Sequence, residues 1–114
     1  MTKLFKTVSV SMALTDAEQR EADYFRPLCP KCGGTYMHQG AVHIFTRDAD
    51  SSETGTLVTS EGFGTTTDSK APMVNNPSRR RDGLSIDMDC EICGPIGRLT
   101  VYQHKGETLI GWQQ

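Results

Sequence analysis

All four cysteines of the chain lie in two matching pairs, CPKCGG at residues 29–34 and CEICG at residues 90–94. Two C-x2-C pairs separated by a long insertion are typical of a tetrahedral zinc site built from four thiolates. Thiolates three positions apart on a tight turn can both point at one ion, and backbone N–H groups that follow can donate to the sulfurs. Gly33 and Gly94 come directly after each pair, where such a turn often needs a positive φ. The spacing therefore predicts one zinc ion, with the ligands Cys29, Cys32, Cys90 and Cys93.

The predicted zinc has a structural role rather than a catalytic one, because four thiolates close the coordination shell and leave no position for water. Positions 33–89, which are 57 residues, separate the pairs, but the entropy of loop closure grows only slowly with length. A redox-active C-x2-C motif and a disulfide framework are the alternatives. A redox motif of the thioredoxin type is expected where a helix begins at the cysteines, whereas strands are predicted beside both pairs here.

The composition explains why a small chain like this one would need a metal. With 114 residues, 36% hydrophobic and 7% aromatic, it has room for one domain and little material for a core. The net charge of −2 excludes a chain that binds polyanions as a whole, so any contact with nucleic acid requires a local basic patch. No apolar run is long enough to cross a bilayer, and the N-terminus is a poor signal peptide, so we expect a cytoplasmic protein with reduced thiols.

The periodicity of the chain predicts a small, mainly-β fold, an antiparallel sheet of hairpins, with one N-terminal α-helix. Residues 1–13 are predicted as a strand (TVSVSM) or a flexible leader, and residues 14–114 as a single zinc-ribbon-type domain. A capping box at Thr15 and Glu18 predicts a helix over 16–25. Strands are expected in TYMHQGAVHIFTRD, as two pieces or one bent strand broken at Gly40, in GLSIDMDC, and in a final hairpin that turns at Lys105-Gly106. Residues 49–83, rich in Ser, Thr and Gly, are predicted as a long, partly ordered insertion loop in which only TLVTS is a strand.

One dense basic cluster is the candidate binding site for a partner. Arginine's planar fork suits phosphate or carboxylate, and the cluster could extend to other cations if the cysteine turns bring them near. The alternative is a solvated loop whose arginines pair with acids such as Asp82. The predicted partner-binding residues are Arg79, Arg80, Arg81, Arg98 and Lys31.

No catalytic constellation is evident. We interpret the three histidines, His38, His43 and His104, as partly exposed strand residues. The acids Asp87, Asp89 and Glu91 alternate with apolar residues and are interpreted as solvated. Tyr36, Phe45, Tyr102 and Trp112 could stack on bases, but a domain poor in aromatic residues is expected to keep them inside.

Three segments, CPKCGGTYMHQGAVHIFTR, NPSRRRDGLSIDMDCEICG and LTVYQHKGETLIGW, carry a resemblance that covers roughly residues 29–47 and 76–112. They resemble small four-cysteine zinc-ribbon proteins encoded by phages, prophages and other mobile elements. This resemblance implies a fold and a bacterial host, and it implies no reaction.

The sequence thus favours a non-catalytic zinc-ribbon module that engages a macromolecular partner, with nucleic acid, bound through Arg79–Arg81, preferred to protein. The alternative is a phage-type accessory or inhibitor protein that binds a host or phage protein complex. An enzyme is the third possibility, and it would need a polar cleft that the sequence does not identify.

Overall fold

A computed structural model of the chain describes residues 5–7 and 27–114. The predicted helix over 16–25 and the predicted strand TVSVSM, apart from Thr7, lie outside these residues. The described part forms a small, mainly-β antiparallel sheet, as the sequence predicts, and contains no helix. Among the described residues, no helix has the length and apolar character that crossing a membrane requires.

The sheet has six long strands and one short edge strand. They are β1 Phe5–Thr7, β2 Met37–Arg47, β3 Thr54–Glu61, β4 Gly64–Pro72, β5 Gly83–Cys90, β6 Gly94–His104 and β7 Glu107–Gln113. Their order across the sheet is β1-β7-β6-β5-β2-β3-β4, and every neighbouring pair is antiparallel. The strand that follows the first cysteine pair (β2) thus pairs with the strand that leads into the second (β5), which brings the two cysteine turns to one end of the sheet.

Two local predictions are confirmed. The register of β2 against β5 shifts between Gln39 and Val42, so the strand bends at Gly40 as expected. The last hairpin turns at Lys105 and Gly106, which have φ values of 50° and 82°.

About half of the segment 49–83, predicted as a long, partly ordered loop, is in β-strands. The segment contains a β-hairpin, β3 and β4, and only part of β3 was anticipated in TLVTS. Strand β4 escaped notice because all of its residues except Ala71 are exposed, so it has no alternation of apolar and polar residues to reveal it. Pairing with β3 decides its structure, and pairing is not visible in local composition.

Residues 76–82, which connect this hairpin to β5, are organised by the side chain of Arg47. Its guanidinium donates hydrogen bonds to the backbone carbonyls of Ser52, Ser78 and Arg81. The Asn76 side chain adds a bond to the Arg81 carbonyl at 2.9 Å. Arg47 of β2 thus holds both the connection between β2 and β3 and the connection between β4 and β5.

We predict that Arg47→Met unfolds these connections at lower temperature, because three carbonyl groups lose a charged donor. A hydrogen bond to a charged group contributes about 1.5–3 kcal/mol, so we expect the free energy of unfolding to fall by roughly 2–4 kcal/mol. Chemical denaturation measures this. Arg79→Met is the matched control, since Arg79 is exposed and makes no hydrogen bond or ion pair with the described residues. Equal losses of unfolding free energy in the two variants would contradict the stabilising role of the Arg47 hydrogen bonds.

Two small clusters of buried side chains form the core. One joins Cys29, Cys90, Ile96 and Trp112, with Met37, Met88, Cys93 and Leu99 packed against it. The other joins Phe45, Ala71 and Met73, with Leu57 beside them. Because the first cluster contains two of the cysteines, the cysteine turns and the hydrophobic core share one end of the sheet.

Candidate metal centre

The first cysteine turn is closed by backbone hydrogen bonds. The N–H of Gly33 donates to the carbonyl of Cys29 at 2.9 Å, and the N–H of Cys29 donates to the carbonyl of Gly34 at 2.8 Å. Gly33 and Gly94 have φ values of 77° and 78°, so the two turns share the left-handed conformation that glycine adopts without strain. The expected positive φ after each pair is therefore confirmed.

Backbone N–H groups also point at the sulfurs. The N–H of Lys31 lies 3.4 Å from Sγ of Cys29, and that of Gly34 lies 3.4 Å from Sγ of Cys32. These donors stabilise negative charge on sulfur, which a metal-binding thiolate carries.

The four cysteine sulfurs converge. All four Sγ atoms lie within 4.8 Å of one another, and those of Cys32 and Cys90 are 3.6 Å apart. Four sulfurs around zinc at about 2.3 Å would be about 3.8 Å from each other in a regular tetrahedron. The cysteines are free thiols, so no disulfide competes for them. This cysteine cluster, Cys29, Cys32, Cys90 and Cys93, can hold a metal ion.

The surroundings of the thiols differ. Backbone N–H groups of Cys93 and Ile92 lower the pKa of Cys90 to about 7, whereas burial raises the pKa of Cys93 to about 12. Without a cation, several thiolates at this spacing repel one another, so the cluster cannot ionise fully. A divalent metal ion held by these four sulfurs would supply the compensating charge, and its binding would displace the remaining thiol protons.

The predicted partner-binding residues do not form one patch. Lys31 lies in the first cysteine turn, whereas Arg79–Arg81 precede β5 and so lie at its opposite end. Eight residues of strand separate the two ends by roughly 23 Å, at about 3.3 Å per residue. Arg98 lies between them on β6, where its Nε donates to Oδ1 of Asp87 at 2.8 Å.

Most of the charge of the arginine loop, residues Arg79, Arg80 and Arg81, is paired within the protein. Asp50 accepts from Arg80 at 2.7 Å and lies 3.3 Å from Nε of Arg81, and the Arg80 guanidinium holds the pKa of Asp50 below its usual range. Asp82, the partner anticipated from the sequence, instead accepts the backbone N–H of Arg47 at 2.9 Å. Among residues 27–114, Arg79 is the arginine of this loop without an ion pair.

The interpretation of His43 as a partly exposed strand residue is wrong, and Asp87, interpreted as solvated, is half-buried. His43 is 9% exposed, and its Nε2 lies 3.1 Å from Oδ1 of half-buried Asp87, which also accepts from Arg98. His43 and Phe45 are two positions apart in β2 and therefore lie on the same face of the sheet. The apolar Phe45 could have indicated that His43 is buried. His38, His104, Asp89 and Glu91 are exposed, and His38 lies 3.4 Å from Glu91.

This His43–Asp87 pair does not form an accessible catalytic site. Ser85 lies opposite His43 in the register and is fully buried, with its hydroxyl unpaired. A nucleophile and a base that substrate cannot reach give no reaction.

The aromatic residues divide between core and surface. Trp112 and Phe45 are buried as expected, at 0% and 1% exposure, but Tyr36 is 76% exposed, so the expectation fails for it. Tyr36 and the exposed Ile92 flank the cysteine cluster, where the N–H of Glu91 donates to the carbonyl of Tyr36.

No protein-family model, curated protein or solved structure matches the chain.

Proposed function

We propose that this protein is a non-catalytic binding module whose cysteine cluster holds one structural zinc ion. The observation that carries the proposal is the convergence of four sulfurs within 4.8 Å. Four thiolates fill a tetrahedral shell, so the ion has no open position for water or substrate. Zinc is the metal proposed because an all-sulfur tetrahedral set favours zinc or iron, and zinc needs no redox partner. The proposed location is the cytoplasm, where thiols stay reduced and available to a metal.

We further propose that the partner is a protein, which the module binds as an accessory factor or inhibitor. The arginine loop supports this choice over nucleic acid. Two of its three arginines, Arg80 and Arg81, are paired with Asp50, and of the three only Arg79 has no ion pair within residues 27–114. A loop whose charge is largely paired attracts phosphates weakly, since affinity for nucleic acid depends on the number of phosphate charges that are neutralised.

Exchange of the metal tests the structural role of zinc. A partner is first identified by cross-linking in a nuclease-treated extract of the source organism, and its dissociation constant is then measured with both proteins purified. Cd²⁺ keeps a four-thiolate shell, so the cadmium form should bind the partner within about twofold of the zinc form. A loss of binding on nuclease treatment would count against a protein partner, and substrate turnover that changes with the metal would overturn the non-catalytic role.

Nucleic acid remains the second candidate, favoured by the exposure of Arg79. If it is right, Arg79→Ala weakens binding of a labelled 30-nucleotide DNA or RNA, and Asp50→Asn strengthens it by releasing Arg80 and Arg81. Fluorescence anisotropy between 20 and 200 mM salt measures this, and affinity should fall steeply with salt. Asp48→Asn is the control for the change in net charge, because Asp48 pairs with neither arginine. No binding at 20 mM salt, or equal binding by all variants, would exclude this candidate.

A further inference from the structure

Strand β4 leaves one edge of the sheet open. It is the last strand in the order, and every residue from Gly64 to Lys70 is exposed. An edge strand directs unpaired N–H and C=O groups outward, and these can pair with another strand. The opposite edge is the three-residue strand β1. The described sheet therefore offers its longest unpaired backbone along β4.

The usable part of this edge is short and well defined. The register of β4 against β3 shifts between the pairs Leu57–Asp68 and Gly55–Ala71, which marks a bulge. Within it, the carboxylate of Asp68 accepts the N–H of Lys70 at 3.0 Å. This bulge ends the regular pairing of β4 with β3. The open edge is the part of β4 before the bulge, residues 64–68.

The direction of the open backbone groups follows from the hairpin. The pair Glu61–Gly64 closes a two-residue turn, and hydrogen-bonded pairs alternate along an antiparallel ladder. Gly64 and Thr66 therefore bond to β3, while the N–H and C=O groups of Thr65 and Thr67 face away from the sheet.

A side-chain groove lies beside the open edge. It has a volume of about 400 Å³ and is lined by Thr59, Glu61, Phe63, Gly64, Thr65 and Thr66. Phe63 is fully exposed at the tip of the hairpin. Apart from its chain neighbours Phe63 and Thr65, no atom of the described residues lies within 4 Å of the position that a Cβ on Gly64 would take, so this glycine leaves a gap in the strand surface. Glu61 makes no ion pair with the described residues.

These features fit one kind of side chain. A long basic residue can pass its methylene groups through the gap at Gly64, pack its cation against the Phe63 ring, and pair with Glu61. Its guanidinium or ammonium group makes a cation–π contact with the Phe63 ring and an ion pair with the Glu61 carboxylate at the same time. A neutral or acidic residue would leave the Glu61 carboxylate without a partner.

We propose that the open edge of β4 binds an extended, arginine- or lysine-containing segment of a partner protein by strand addition. Main-chain bonds to Thr65 and Thr67 provide the affinity, and the groove at Glu61 and Phe63 selects the basic side chain. The inference rests on the proposed function, because it names the surface through which a protein-binding module would act. The net charge of −2 is compatible with a basic partner.

The test uses the zinc-loaded full chain and the peptide acetyl-Thr-Val-Arg-Val-Thr-Val-amide, with a second peptide in which citrulline replaces arginine. Titration is followed in ¹H–¹⁵N NMR spectra. The arginine peptide should shift the amide signals of Thr65 and Thr67, and the citrulline peptide should bind at least tenfold more weakly. Glu61→Gln should weaken the arginine peptide about tenfold and leave the citrulline peptide unchanged.

Thr67→Pro tests the backbone contribution. It removes an outward N–H without disturbing the pairing to β3, so binding should be lost; Thr67→Ala is the matched control and should retain it. If Thr67→Pro does not fold, Phe63→Ala replaces it and should weaken binding at least fivefold. Shifts centred on Tyr36 and Ile92, equal binding by the proline variant, or no shift at 2 mM peptide would overturn the proposal.

The failure of this inference is distinguishable from failure of the proposed function. A partner protein that binds Thr67→Pro as tightly as the parent chain would overturn the edge assignment alone. Nuclease-sensitive partner binding would overturn the proposed protein partner, whatever the peptide does. Dimerisation in sedimentation experiments that Thr67→Pro abolishes would show the edge occupied by a second copy, and would also overturn the inference.

Discussion

Replacement of Cys90 by Ser, or removal of the metal by a chelator, is expected to unfold the end of the sheet that carries the cysteine cluster. Apparent zinc-binding energies in finger peptides are about 10–16 kcal/mol, and a small domain is stable by only about 5–15 kcal/mol. The four sulfurs also lie close enough to repel one another as thiolates once the ion is gone. We therefore expect the thermal midpoint to fall by about 20 °C or more, or the transition to disappear.

Calorimetry and metal analysis measure this result, with one zinc per chain expected in the parent protein. Cys32→Ser separates metal loss from packing, because Cys32 is exposed whereas Cys90 is 4% exposed. If the metal is the cause, both serine variants lose similar stability. Ile92→Ala changes an exposed residue in the same turn and should leave the midpoint nearly unchanged. A metal-free protein with an unchanged midpoint would rule out a structural metal.

Trp112→Ala is expected to produce the second-largest effect. The side chain is 0% exposed and packs with Cys29, Cys90 and Ile96, so its removal leaves a cavity against the cysteine cluster. Truncation of a buried Trp to Ala costs about 3–5 kcal/mol. Because the cavity lies beside two of the ligands, we also expect a weaker affinity for zinc, measured by competition with a chromophoric chelator.

Trp112→Phe is the graded comparison for this prediction. The indole Nε1 is buried and has no hydrogen-bond partner among the described residues, so phenylalanine loses volume but no bond. We expect a cost of roughly 1–2 kcal/mol in urea denaturation. Equal losses for the alanine and phenylalanine variants would show that ring packing is not what stabilises this end of the sheet.

The strands flanking the cysteines could be predicted because apolar residues recur at period two along each of them. Val42 and Ile44 do so in β2, and Leu84, Ile86 and Met88 in β5, although Ile44 is 43% exposed and the buried residues of β2 are His43 and Phe45. The same criterion failed for β4, where Thr65–Thr67 are exposed whichever way they point. Its strand exists because β3 pairs with it, and a partner strand is a tertiary fact.

The pairing of charged and polar side chains also could not be predicted from local pattern. His43 and Asp87 are 44 positions apart and meet because β2 and β5 are neighbours. Arg80 and Asp50 are 30 positions apart, and their ion pair changes the arginine loop from a basic cluster into a largely compensated one. Neither contact can be predicted from the spacing of these residues in the sequence.

What the sequence by itself determined is the local chemistry of the cysteine turns: two thiols three positions apart, each pair followed by a glycine that takes positive φ. That outcome is local because the turn closes through its own backbone bonds within five residues. The tertiary structure alone decided that the two turns meet, that Arg79–Arg81 lie at the far end of β5, and that β4 is left as an open edge. These depend on which strands pair, and strand pairing joins residues that the chain keeps far apart.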